Sequence, residues 1–342
     1  MLTPLRVRKV DRLTEDAAAV TFDVPPSWTF RAGQFLTVEH DGQRRSYSIC
    51  APAGAAARIG VREVPGGAVS SWLVHDVRPG DVVQVLPPNG TFHLPEDVDG
   101  RHVFVAAGSG ITPLLSIAAT VLTRSSTGQV TLFYANRRSD TVMFADELAE
   151  LKDRYPTRFQ LVHVLSREPR EAEVLSGRLD APRLARLIDE LVDVRAVAHW
   201  WLCGPHDMVG TARGLLDDRG VDAGRIHREL FYVEQTAPPP LEHPDVVSPS
   251  ATARVTIVLD GRSTELALPR DEPVLDAAQR VRADLPFACK AGVCGTCRAR
   301  VSAGAVRMRR NFALEDDELR RGFVLTCQAL PDSERLTLDF DS

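Results

Sequence analysis

At 342 residues the chain is long enough for two or three domains that each bury a core of their own. With 41 Lys and Arg against 46 Asp and Glu, the net charge of −5 gives no basis for expecting a polyanionic nucleic acid as ligand. Met1–Val10 carries basic residues without an apolar core, and no apolar run reaches the roughly eighteen residues of a membrane span, so a cytoplasmic protein without a membrane segment is expected.

Residues 1–99 contain short alternating or apolar runs, among them Phe35–Glu39, Arg58–Val61 and Asp81–Val85, punctuated by Gly and Pro as in Arg78-Pro79-Gly80-Asp81. That pattern predicts a small antiparallel β-barrel. Within it, Arg45-Ser46-Tyr47-Ser48 offers an arginine for a phosphate and, two residues on, a tyrosine able to lie against a planar ring. Gly66-Gly67-Ala68-Val69-Ser70 then reads as a turn into a short helix whose first N–H groups suit the same phosphates. Taken singly, the two segments fit a plain β-strand and an ordinary capped helix just as well.

From residue 100 to 234 strand and helix alternate: Val103–Ala107, a helix from Pro113, Gln129–Tyr134, a helix around Asp146–Arg154, Phe159–Leu165 and Ala198–Cys203. Alternation of this kind predicts a doubly wound parallel sheet with helices on both faces. In Gly108-Ser109-Gly110-Ile111-Thr112-Pro113 the glycines let backbone approach a pyrophosphate, and Pro113 suits a first helical turn because it lacks an N–H. Pro113 stands where the dinucleotide fingerprint has glycine. Ser166 and Arg167 follow Phe159–Leu165 and could hold a ribose phosphate, although Arg170 and Glu171 nearby also fit a merely charged loop. Ala135-Asn136-Arg137-Arg138 places no carboxylate after Gln129–Tyr134, which favours NADPH, with NADH as the alternative donor. Cys203-Gly204-Pro205 ends its strand at the carboxyl edge where open α/β sheets bind ligands, and a small buried thiol is the plain alternative for Cys203.

Residues 235–252 carry Pro238, Pro239, Pro240, Pro244 and Pro249 and predict a semi-rigid linker before a third unit, 253–342. Four of the six cysteines lie in that unit. Cys289, Cys294, Cys297 and Cys327 have the plant-type [2Fe-2S] spacing, and Gly292 and Gly295 let backbone N–H groups turn towards the sulfurs. A structural zinc is the alternative, but its ligands usually come as two short pairs. Lys290, Arg298, Arg300, Arg307, Arg309 and Arg310 fall in a span, Asp284 to Glu315, with no acidic residue inside it. Either they form a basic rim that meets an acidic partner surface, or they are solvated side chains.

In this order the Arg45 and Gly66 segments resemble the flavin domain of the ferredoxin–NADP reductase superfamily. Across Leu5–Phe340 the junctions Arg44–Cys50, Ala106–Pro113, Leu285–Lys290 and Leu325–Pro331 are similar to the family of reductase subunits of the ring-epoxidising phenylacetyl-CoA monooxygenase. The resemblance implies three domains: a barrel for FAD, an α/β domain for the nicotinamide and an α+β β-grasp ferredoxin. It implies FAD bound by Arg45, Ser46, Tyr47, Ser48, Gly66, Gly67, Val69, Ser70, Thr112 and Phe231. NADPH would be bound by Gly108, Gly110, Pro113, Ser166, Arg167, Cys203, Gly204 and Pro205, with Cys203 and Thr112 near the nicotinamide. A di-iron oxygenase is the implied electron acceptor. The segment His227-Arg228-Glu229-Leu230-Phe231 departs from the Glu-Arg-Phe of that family, and Phe231 is the residue expected over the flavin ring. No acid, base or nucleophile is required of the protein, because the cofactors supply the chemistry. A reductase for a steroid or aromatic-ring hydroxylase is the neighbouring reading, and a redox sensor without turnover the more distant one.

Overall fold

Residues 2–231, 252–282, 284–287, 289–314 and 316–342 are described by a computed structural model, and they divide into two units, one before and one after 232–251. The expected proline-rich linker therefore lies outside the described residues, except for Thr252, which already belongs to a strand. Ala288, in the junction before Cys289, and Glu315 also lie outside them.

The first unit opens with β1 (Thr3–Thr14), β2 (Ala17–Asp23), β3 (Phe35–His40), β4 (Gln43–Ser48), β5 (Arg58–Arg62), α1 (Ala68–His75) and β6 (Val82–Asn89). The strands form one antiparallel sheet in the order β4-β3-β6-β1-β2-β5. A bridge between Ile49 and Ile59 joins the two outer strands, so the sheet curls into the expected barrel and leaves less open edge. Alternation decides its inside: Leu5 and Val7, Leu36 and Val38, Val83 and Val85 all point into one core with Phe22, Ile59 and the α1 residues Leu73 and Val74.

The same unit continues through β7 (Arg101–Ala107), α2 (Ile111–Arg124), β8 (Gln129–Asn136), α3 (Ala145–Arg154), β9 (Phe159–Leu165), α4 (Ala181–Leu191), β10 (Val197–Gly204), α5 (His206–Asp218) and β11 (Ile226–Leu230). Its sheet is wholly parallel, in the order β11-β10-β7-β8-β9. Alternate residues serve two cores: Phe104, Leu132 and Trp201 pack with α2 and α3, whereas Val105, Phe133 and Leu202 pack with α4 and α5. Helix α2 starts at Ile111, two residues before the expected Pro113, because the 3-10 turn Gly108–Gly110 runs straight into it. Pro113 still lies in the first turn, where an N–H is not needed.

Helix α2 is buried on nearly every side, and its polar residues bond to the barrel. Ser116 donates to the Ala51 carbonyl, and Thr120 accepts from the Ala53 N–H at 3.0 Å. Arg58 of β5 meets Glu147 of α3 at 2.8 Å and Asp11 of β1 at 3.3 Å. Barrel and sheet are thus joined by two buried hydroxyls that would otherwise lack partners and by a partly exposed ion-pair network.

The second unit comprises β12 (Thr252–Leu259), β13 (Arg262–Pro269), α6 (Val274–Gln279), β14 (Arg298–Ala303), β15 (Val306–Met308), α7 (Asp316–Arg320), β16 (Phe323–Leu325), β17 (Ala329–Pro331) and β18 (Arg335–Asp339). It is α+β, with a mixed sheet in the order β13-β12-β18-β14-β16 and a separate β15–β17 ribbon. Val255, Ile257, Leu336 and Leu338 form its core with Leu275 of α6.

In the parallel sheet the chain moves from β7 to β8 and β9 on one side, then returns to place β10 and β11 on the other. The order reverses between β7 and β10, and the crevice at their carboxyl ends is where such sheets bind ligands. There the first turn of α2 crosses β10 so closely that a Cβ on Gly110 would lie 2.3 Å from the Cys203 carbonyl oxygen. Backbone cannot move aside cheaply. Gly110→Ala should therefore lower the stability of this unit by about 2–3 kcal/mol. Calorimetric unfolding checks this, and an unchanged midpoint would show that the crossing can relax.

Candidate functional site

Tyr47 lies half-buried on β4 against the barrel core, and burial pushes its hydroxyl pKa well up. Arg45, two residues away on the same face, is exposed and spends its donors on the Arg44 carbonyl at 2.8 Å and Gln43 Oε1 at 3.3 Å. Among the described residues no carboxylate pairs with it. Gly66, at φ 76°, turns the chain into α1, and no side chain caps that helix at Gly67. The first-turn N–H groups of Ala68, Val69 and Ser70 are therefore left for an anion. The Ser70 hydroxyl is not: it accepts from the Val64 N–H at 3.1 Å and donates to the Gly67 carbonyl at 3.0 Å, closing the turn. Ser46 spends its hydroxyl on Thr37 at 3.2 Å. A half-buried ring, an arginine without an acidic partner and an uncapped helix start fit a flavin nucleotide.

At the switch point Gly108 (φ 54°) and Gly204 (φ 155°) take conformations that favour glycine. The Tyr134 hydroxyl holds the first turn by donating to the Gly108 carbonyl at 3.0 Å. Thr112 is buried, its hydroxyl donating to the Ser109 carbonyl at 2.9 Å and its methyl against Gly60 of the barrel, where a Cβ would lie 2.4 Å away. Pro205 caps α5, and the Phe231 N–H donates to the Gly204 carbonyl at 3.0 Å, which sets that residue beside the end of β10.

Register then places Glu229 of β11 opposite Cys203 of β10, and the Ser48 hydroxyl of the barrel reaches Glu229 Oε2 at 3.4 Å. Burial raises the Glu229 carboxyl to about 8, and burial beside Glu229 raises the Cys203 thiol. Glu229 is thus a protonated acid near neutral pH, and Cys203 is not a thiolate. The sequence pattern points to Phe231 and passes over Glu229, although a lone acid in a strand of this sheet is the signal that marks it. At the carboxyl ends of β8 and β9, the Ser166 N–H donates to the Asn136 carbonyl at 2.9 Å and the Arg167 N–H to the Arg137 carbonyl at 2.8 Å. The two loops lie side by side, with Arg137 and Arg167 exposed, while Glu168 is occupied by the Ser139 N–H and hydroxyl.

In the second unit the thiols fall into two contacting pairs, Cys289 with Cys294 and Cys297 with Cys327. The Cys294 contact and the N–H groups of Ala291, Val293 and Cys294 push the Cys289 thiol pKa down, and the Cys297 contact does the same for Cys327. Gly292 (φ 80°), Gly295 (φ 67°) and Lys290 (φ 54°) shape the loop so that the Ala291 N–H points at Cys289 Sγ, 3.3 Å away. Among the described residues no three Cys, His, Asp or Glu are placed to hold a single ion. Two pairs side by side suit two metals, each taking two thiolates, better than one zinc.

The basic rim is smaller than the linear pattern suggests. Lys290 pairs with Asp276 at 2.8 Å, Arg298 pairs with Glu318, and Arg300 lies opposite Asp339. Arg307, Arg309 and Arg310 keep no carboxylate partner among the described residues, and they lie on and just after β15, beside the cluster loop.

Residues 104–214 match the oxidoreductase NAD-binding domain family, and residues 257–332 match the 2Fe-2S iron–sulfur cluster binding domain family. The chain is 40% identical to a component of the 1,2-phenylacetyl-CoA epoxidase of Escherichia coli, over 99% of this chain and 97% of that protein. It belongs to that family of reductases. It is also 33% identical to the ferredoxin reductase component of 3-ketosteroid-9-alpha-monooxygenase from Mycobacterium tuberculosis, over 98% of this chain and 95% of the other. The fold matches phthalate dioxygenase reductase with a TM-score of 0.61 at 24% identity, over 99% of this chain and 98% of that one.

As a member of this family the protein is an oxygenase reductase component, an NAD(P)H oxidoreductase with FAD and a [2Fe-2S] cluster. When bound, these groups supply hydride acceptance and one-electron transfer. The segments that would hold them are β4 and the start of α1 for the flavin, the switch point for the nicotinamide and the two thiol pairs for the cluster. No helix among the described residues is long and apolar enough to cross a membrane.

Glu229 gives this site a pH signature. Its carboxyl is raised from 4.5 in the unfolded chain to about 8, so the folded form keeps a proton that the unfolded form releases. Stability is highest below the lower value and falls as pH rises through the higher one. In Glu229→Gln that loss should disappear from the thermal unfolding of the first unit. Parallel curves for both proteins over this window would mean that Glu229 is ionised in the fold.

Proposed function

We propose that this reductase takes hydride from NADPH and passes single electrons to the di-iron oxygenase of a phenylacetyl-CoA epoxidase, working in the cytoplasm, where Cys50 and Cys203, the thiols outside the cluster, would stay reduced. The acceptor rests on one observation, the 40% identity to the Escherichia coli 1,2-phenylacetyl-CoA epoxidase component over nearly the whole of both chains, against 33% for the ketosteroid monooxygenase component. Side-by-side reduction of the two purified oxygenases tests it: the epoxidase should be reduced faster, and a preference for the ketosteroid enzyme would reassign the acceptor.

The preference for NADPH is supported by Arg137 and Arg167, exposed on adjacent loops at the carboxyl ends of β8 and β9, with Ser166 between them and the strand. Two guanidinium groups there favour a 2′-phosphate, and the nearest acid, Glu168, is turned towards Ser139. A charge-assisted hydrogen bond to phosphate contributes about 1.5–3 kcal/mol, so Arg167→Ala should weaken NADPH use roughly ten- to a hundredfold. NADH use should barely change. Equal losses with both donors in steady-state kinetics would remove Arg167 from the phosphate site.

Docking would use the three arginines that keep no acidic partner. The Arg309 N–H bonds the Gln328 carbonyl at 2.9 Å and the Phe312 N–H bonds the Gly292 carbonyl at 3.1 Å, so Arg309 and Arg310 border the cluster loop. Positive charge at that edge would raise the encounter rate with an acidic surface on the oxygenase and orient the cluster towards it. Reduction of the oxygenase should slow as added salt shortens the Debye length from about 30 Å to about 8 Å. Reversing Arg309 and Arg310 to Glu should slow it strongly while NADPH oxidation by a small neutral acceptor is kept. Loss of both activities would make the pair structural, and loss of neither would move the docking face elsewhere.

A further inference from the structure

Cys327 reaches the cluster from far along the chain, and the residues on both sides of it are tied back to the loop that carries the other three ligands. Thr326, wholly buried, gives its hydroxyl to the Cys297 carbonyl at 2.9 Å and its N–H to the same oxygen at 3.1 Å. Gln328, only 8% exposed, donates its side-chain Nε2 to the Lys290 carbonyl at 2.9 Å. The same nitrogen lies 3.7 Å from Cys327 Sγ. One amide therefore serves two acceptors, the loop backbone and a cluster ligand.

Its position is determined from several directions. Lys290 presents its carbonyl from a left-handed conformation, φ 54°, which a lysine adopts only when its surroundings hold it there. Gly292 packs so near the Gln328 stem that a Cβ would lie 3.1 Å from Cγ. The Gln328 main chain is fixed as well, its N–H bonded to the Leu325 carbonyl at 2.8 Å and its carbonyl accepting from Arg309. A donor fixed in advance and shielded from water acts more strongly than one in solvent, and it need not reorganise when the charge on the cluster changes.

We propose that Gln328 is a positioning residue for the cluster: its side-chain amide locks Cys327 against the loop at Lys290 and, by donating to the ligand sulfur, raises the reduction potential. The sign follows from charge. Reduction adds one electron to a cluster already held by thiolates, and a hydrogen bond to a sulfur stabilises the more negative form more. The inference needs the [2Fe-2S] cluster but not a particular oxygenase.

The test is Gln328→Met in the full-length holoprotein, which keeps the length of the side chain and removes the donor. An EPR-monitored redox titration should show the reduction equilibrium about tenfold less favourable, a fall of about 59 mV for one electron. Thr326→Val is the control, since it cuts a comparable tie to the loop without removing a donor near sulfur, and its potential should stay at the wild-type value. An unchanged potential in Gln328→Met, or an equal fall in both variants, overturns the proposal. Should Gln328→Met fail to assemble a cluster, wild-type protein labelled with ¹⁵N in its glutamine side chains decides. Electron–nuclear double resonance of the reduced cluster should show coupling to that nitrogen, and its absence overturns the sulfur contact.

Discussion

The geometry of the hydride-handling unit depends on the crossing of Gly110 over the carbonyl of Cys203. Because glycine alone fits there, the 3-10 turn after β7 can lie directly on the end of β10, and α2 begins with its first turn over the crevice. Gly108 and Gly204 sit at its edges in conformations other residues avoid. The same crossing aims α2 into the barrel, where Ser116 and Thr120 find their partners. One steric constraint therefore positions the Gly108–Pro113 turn and the interface with the barrel together.

That interface is also electrostatic. Arg58 lies between Glu147 and Asp11, so the charge that leaves water at the barrel surface is met from both domains. Glu229 solves the same problem differently: Ser48 is its hydrogen-bond partner among the described residues, burial raises its carboxyl to about 8, and burial also raises the Cys203 thiol. The Arg62 guanidinium of β5 stands near Gly108 at the same crevice, so positive charge faces the Gly108 turn while Cys203 and Glu229 bring none of their own.

The cluster unit follows a different rule. The cysteines that would hold the cluster are positioned by backbone turns at Lys290, Gly292 and Gly295, and the distant Cys327 is pinned through the residues on either side of it. A loop of small residues cannot fix itself by packing, so hydrogen bonds from the returning strand do it instead. The surface charge nearby is then partly cancelled, Lys290 by Asp276 and Arg298 by Glu318, while Arg307, Arg309 and Arg310 have no acidic partner among the described residues.

How much was legible beforehand divides along physical lines. Local features carried through: the four-cysteine spacing, the Arg45–Ser48 strand, the Gly66–Gly67 turn and the Gly108–Pro113 segment are each set by neighbours in the chain, where glycine, proline and thiolate chemistry act over a few residues. Tertiary structure alone decided what distant segments do to one another. Glu229 became a protonated acid only because β11 pairs with β10 and the barrel brings Ser48 to it. Lys290 and Arg298 lost their place in the basic rim only because Asp276 and Glu318 fold against them. Local conformation follows from covalent geometry and short-range sterics, which a sequence states outright, whereas burial and charge pairing are properties of the packed interior, created when residues far apart in the chain exclude water together.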